Sequence, residues 1–246
     1  MHFIGLNLLV GERMTELFSI VAQADGFAWK LQCFGVIVSL LGLAAYCLGY
    51  VLAVRKPPKR SVSVPGLLYG LGIFASLTWY VMPFLPQPRI PGVLALYSRA
   101  DDLTVWLGAS AQVYGIVFGI RYFLFTSRAT LLNLSVTRQN VFKPERLLTT
   151  GVYAECRHPM LMGDAIAHLT IAMALTGALT ILLFPIYYLI NEAFVEIQER
   201  LVLRRRFGDA YRDYAKRTPR MMSFKLGAIF LVGVAFSASA LAFVKQ

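Results

Sequence analysis

Long stretches without a single charged side chain dominate this sequence, and they decide what it can fold into. Residues 31–54, 64–87, 103–120, 165–191 and 226–244 carry none. A bilayer core is crossed by roughly 20 apolar residues in a helix, and each run is of that order. In hydrocarbon every backbone N–H and C=O must be paired internally, which a helix does within one segment. Only 15% of the 246 residues are charged, against about a quarter in an ordinary soluble domain. The reading is an all-α, polytopic transmembrane helical protein with about five to six spans. The 165–191 run is long for one crossing and contains Gly177 and Pro185. It is expected to fold as a helical hairpin in the C-terminal half, turning near 176–180.

The net charge is +11, and its placement is more informative than its size. Basic residues gather in RKPPKR at 55–60, in 128–157 (Arg128, Arg138, Lys143, Arg146, Arg157) and in 200–220. The positive-inside rule places all three on the cytoplasmic side. Arginines beside the membrane meet anionic lipid headgroups there, so membrane lipids are expected partners and nucleic acid is not. The first residues lack the basic start of a signal peptide, and Glu12, Arg13 and Glu16 break the apolar run. Residues 1–30 are read as an N-terminal interfacial segment, 31–126 as N-terminal transmembrane helices, and 223–246 as a C-terminal transmembrane helix. A short interfacial helix is expected at 94–103. Of the three cysteines, Cys33 and Cys47 are expected to be buried packing residues in the first span. Cys156 is read as a small filler, the alternative being a thiol whose pKa Arg157 lowers.

Residues 127–222 hold the candidate chemistry. Arg157 and His158 precede Pro159, which suits the first turn of a helix. A helix start leaves N–H groups unpaired and partly positive, so this tripeptide can receive a carboxylate or phosphate. Asp164 and His168 follow, four apart on one helix face, and either pair with each other or act on a ligand. Glu192, Glu196 and Glu199 form a second stripe, which needs cations or hydroxyls to offset its repulsion. Arg204, Arg205 and Arg206 are the competing structural partners. Phe207, Tyr211 and Tyr214 line one face of a basic tail that lies on the membrane or closes over a ligand. Gly208 reads as a helix stop. No glycine-rich phosphate loop, nucleophile elbow or zinc-ligand spacing is present in the sequence, and no metal site is expected.

Two blocks, GVYAECRHPMLMG and QERLVLRRRFGDAYRDYAKRTPR, resemble the isoprenylcysteine carboxyl methyltransferase and phospholipid methyltransferase type of membrane enzyme. Gly151, Tyr153, Arg157, His158, Pro159 and Gly163 match the first block of that family. Glu199, Phe207, Gly208, Tyr211, Tyr214, Pro219 and Arg220 match the second. Leu161 stands where the family usually has tyrosine. Arg200 replaces the second of two paired glutamates, and Glu196, one turn earlier, is the candidate substitute.

The resemblance implies an S-adenosyl-L-methionine-dependent methyltransferase acting on a hydrophobic or lipid substrate, with its active site on the cytoplasmic side. It makes Arg157, His158 and Glu199 the catalytic candidates. Gly151, Tyr153, Pro159, Gly163, Glu196, Tyr211 and Tyr214 join them as cofactor-binding candidates. The acceptor is a prenylcysteine carboxylate, a phospholipid amine or a small hydrophobic thiol or acid. The alternatives are an NADPH-dependent membrane sterol or enone reductase, toward which Gly163-Asp164 leans, and a non-catalytic lipid- or partner-binding relative.

Overall fold

The computed structural model describes residues 25–55, 63–136, 142, 144–222 and 224–243. Most of the 1–30 segment and most of the RKPPKR loop, together with Arg138 and Lys143, lie outside the described residues. The principal helices are α1 (Gly26–Arg55), α2 (Val64–Ser76), α3 (Leu103–Val136), α4 (Pro159–Ala174), α5 (Ala178–Gln198), α6 (Arg204–Arg217) and α7 (Phe224–Phe243). No strand forms among the described residues; a lone bridge joins Arg89 to Gly177. Four helical stretches are long and apolar enough to cross a membrane: Gly26–Arg55, Val64–Phe84, Leu103–Asn133 and Ala178–Arg217. Two shorter apolar helices, Pro159–Ala174 and Gly227–Ala242, accompany them. This is a polytopic helical membrane protein.

The helices meet through small residues. With lipid as apolar as leucine, association depends on close backbone approach. Gly115 and Gly119, a G-x-x-x-G pair on α3, face Thr170 and Met173 on α4. Gly163 returns the contact from α4, where a Cβ would run into the Thr126 hydroxyl. Between α1 and α2, Gly42 lies against Ala75, and Gly72 against Tyr46. The outer faces keep Phe34, Leu41, Ile120, Phe123 and Leu189 exposed, as a lipid-facing surface requires.

The expected hairpin is α4 and α5, turning through 175–177 with Thr176 at φ 57°. Its position is set by the proline-rich segment that follows the second span, with Pro83, Pro86, Pro88 and Pro91. Arg89 donates to the carbonyls of Pro83 at 2.9 Å and Leu175 at 2.7 Å. Ile90 N–H reaches Thr176 O, and Ala178 N–H reaches Pro88 O. Pro88 lends its carbonyl to the start of α5, while Pro83 O is taken by Arg89 and Gln87.

The second span breaks after Ser76 and ends in a 3-10 turn at Met82–Phe84, where Pro83 cannot continue the ladder. Two details differ from expectation. The 94–103 helix is a 3-10 turn at Val93–Tyr97. Cys33 and Cys47 are half-buried rather than buried, because α1 turns part of that face outward. α5 runs on through a π-turn at Glu199–Leu203 into α6, which kinks at Gly208 with φ 50° and ψ −121°. Only glycine enters that backbone region at low cost, which fits its reading as a stop.

Candidate functional site

The two motif blocks, some forty residues apart along the chain, are joined by backbone. Arg157 N–H donates to Pro219 O at 2.9 Å and His158 N–H to Arg220 O at 3.2 Å. His158 is the residue before α4, and Pro159 opens that helix as expected. Gly151, at φ 61°, starts the short turn Val152–Glu155 that presents Tyr153. Tyr214 closes the loop by donating its hydroxyl to Tyr153 O at 2.6 Å.

Glu199 is the hub. Its side chain is fully buried. Oε1 lies 3.1 Å from Arg157 Nε and 3.0 Å from His158 Nε2, and Oε2 lies 3.2 Å from Arg204 and 3.4 Å from Arg220. The Arg157 contact through Nε is ionic rather than an aligned hydrogen bond, and Arg157 Nη1 donates to Ala215 O at 2.8 Å. Glu196 meets Arg220 at 2.8 Å and Glu192 meets it at 3.5 Å. The glutamate stripe is thus offset mainly by Arg220, with Arg204 beside it. Arg206 instead donates to Pro144 O. Sequence reasoning counted Arg220 as a motif position and missed its charge role. The π-turn widens the helix where Glu199 points inward, a placement common at functional sites.

A cavity of about 330 Å³ opens beside this hub. Tyr153, Arg157, His158, Pro159, Tyr211 and Tyr214 line it, as does Leu161. Other parts of the wall come from Phe207 of the tail, Thr126 and Thr130 of α3, Ile73 and Ser76 of α2, and Leu77 just beyond it. Gly151, Gly163, Glu196 and Glu199 are not in the wall: Glu199 stands behind Arg157 and His158, and Gly163 packs on α3. Arg200 points outward and meets Glu196 only at 3.7 Å.

Further along the cavity is Asp164. It does not pair with His168. Its two carboxylate oxygens accept hydroxyls from Tyr80 and Tyr187. His168 is wholly buried one turn on, against the rings of Trp79 and Tyr187. Nothing in the sequence marked Tyr80 and Tyr187, because apolar spans on two other helices supply them. Cys156 is buried, and burial pushes its thiol up to about 12. Both fit a filler rather than a reactive group. Burial pushes the Tyr153 phenol up to about 12 as well, which keeps it neutral.

Fold and site together define a multi-pass helical membrane protein with a charged, aromatic cavity walled by the C-terminal motif residues and by the N-terminal helices. Residues 103–210 match the family model of the phospholipid methyltransferases. That match takes in α3, the hairpin, the Arg157–Glu199 hub and the first half of the tail. It supports a membrane methyltransferase. No match was found among curated proteins, and none among solved structures.

Proposed function

We propose that the protein transfers a methyl group from S-adenosyl-L-methionine to a lipidic or hydrophobic acceptor at the cytoplasmic face of the membrane. The observation that carries this reading is the cavity in which both motif blocks converge. Its volume is at the small end of the range for small-molecule sites, and its walls mix ring faces with a few convergent polar groups. Such a lining suits a ligand carrying an aromatic base, an amino-acid carboxylate and a cationic centre.

Arg157 and the N-terminus of α4 would hold the carboxylate. Tyr153, Phe207, Tyr211 and Tyr214 would offer ring faces to the base and the cation. Glu199 would act from behind, fixing the directions of Arg157 and His158. When bound, the cofactor supplies an electrophilic methyl group on a sulfonium. The protein's part is alignment of donor with acceptor and exclusion of water.

The acceptor would enter sideways. α2 and α3 are not packed closely on each other, and the cavity lies between them. Ile73 and Leu77 both line it and face outward, 43% and 47% exposed. A prenylcysteine carboxylate, a phospholipid amine or a small hydrophobic thiol or acid could pass this gap from the bilayer. The cytoplasmic assignment rests on the arginines around the cavity mouth.

A second reading has one observation in its favour. Asp164 beside two phenols is an arrangement that could protonate a substrate during NADPH-dependent reduction. Calorimetry on detergent-purified protein separates the two. S-adenosylmethionine or its demethylated product should bind in the micromolar range, and Arg157→Ala should weaken binding at least tenfold. Binding of NADPH alone would reassign the enzyme. Binding of neither by folded protein would leave a non-catalytic relative.

A further inference from the structure

Asp164 is a carboxylate placed on a cavity wall inside the membrane domain, where an ionisable group is costly to keep. Among the described residues it makes no ion pair: its partners are the hydroxyls of Tyr80 and Tyr187, both neutral donors. Tyr187 is fully buried and Tyr80 half-buried, so the carboxylate is clamped from α5 and from the end of the second span. Each carboxylate oxygen has room for a second donor after accepting a phenol. Asp164 lines the cavity, and so that remaining capacity is available to a ligand. On the same wall, Arg157 and His158 lie one to two turns back along the chain, each already turned toward Glu199.

The cavity therefore has two chemically unlike regions. One carries cations and rings, and the other carries a single clamped carboxylate next to the apolar gap between α2 and α3. We propose that Asp164, held by Tyr80 and Tyr187, is the acceptor-side residue: it receives an N–H of an amine acceptor and turns away acceptors that present a carboxylate. This rests on the methyltransferase reading above.

The chemistry balances without another reactant. A neutral amine, the form that partitions into the bilayer, donates one N–H to Asp164 and keeps its lone pair for the methyl carbon. The N–C bond forms as the C–S bond breaks, and the C–S electron pair stays on sulfur. Positive charge moves from sulfur to nitrogen, toward the carboxylate, so the interaction is stronger in the transition state than before it. The product ammonium then loses a proton to water at the cavity mouth. A carboxylate acceptor gains nothing from Asp164 and meets a like charge.

The test is binding of dodecylamine and of dodecanoic acid to the full-length protein by native mass spectrometry, with calorimetric binding of S-adenosylhomocysteine run alongside. Wild type should favour the amine at least tenfold. Asp164→Asn should lose that preference while holding S-adenosylhomocysteine within about twofold. With labelled S-adenosylmethionine, the wild-type product from dodecylamine should be N-methyl. Equal binding of amine and acid, or a preference for the amine that survives Asp164→Asn, overturns the proposal. Should that variant fail to fold, wild-type preference decides alone. Failure to bind S-adenosylhomocysteine overturns the cofactor reading instead, and the amine preference is read independently of it.

Discussion

Replacing Glu199 with alanine should be the most disruptive single change at the hub. Three arginines and His158 converge on this carboxylate, and their exposure differs. Arg157 and His158 have side chains 10% and 5% exposed; Arg204 and Arg220 are 46% and 32% exposed. The outer pair keeps Glu196 as a partner at 3.8 Å and 2.8 Å. Exposed pairs contribute about 0–1 kcal/mol, so their share of the loss is small. The inner pair has no such reserve. Stripping a buried charge of its partner costs about 3–5 kcal/mol. The neighbouring cavity admits water to Arg157, which puts the figure near 3 kcal/mol, the lower end of that range. For a domain of 150–250 residues, each kcal/mol moves Tm by about 2–4 °C, giving a drop of roughly 6–12 °C. Thermal melting in detergent, followed by tryptophan fluorescence, measures it. Glu199→Gln keeps an acceptor for one of the two inner donors and should fall between. A Glu199→Ala protein melting within about 2 °C of wild type would refute the argument. Arg157 and His158 would then be satisfied without the carboxylate.

Two further outcomes follow from local structure. Cys156 should resist iodoacetamide at pH 8 in the folded protein and react on unfolding, as read by mass spectrometry; with its thiol near 12, raising the pH toward 9 should speed native labelling only in proportion to a thiolate fraction still well below one per cent, about 10⁻³. Gly208→Ala should cost about 1–3 kcal/mol, since φ 50° with ψ −121° is open to glycine and strained for any residue with a Cβ, and a melting temperature equal to wild type would show that the tail re-forms without its kink.

The helices were legible because each spanning run needs only its own residues to satisfy its backbone. The hairpin turn was legible for the same local reason: Gly177 and the 27-residue uncharged run at 165–191 fall within one stretch. What the chain does at 83–92 was not legible. Arg89 holds the hairpin by bonding the Leu175 carbonyl, 86 residues on, and the nearby Pro83 carbonyl together. No periodicity records that. The site divides along the same line. Arg157, His158, Tyr211 and Tyr214 were readable as motif positions, and all four reach the cavity. Glu199 was readable as a residue but not as a buried hub, because its burial depends on the π-turn and on three arginines and a histidine drawn from three parts of the chain. The same holds for Asp164. Its i+4 neighbour His168 was the visible partner, and the phenols that hold it come from residues 80 and 187. A helix-face argument finds partners on one helix, whereas charges inside a membrane bundle are satisfied across helices. For such proteins, an ionisable residue with an apparent local partner should be traced to the facing helices before a role is assigned, and here that step replaces the apparent Asp164–His168 pair with contacts to Tyr80 and Tyr187.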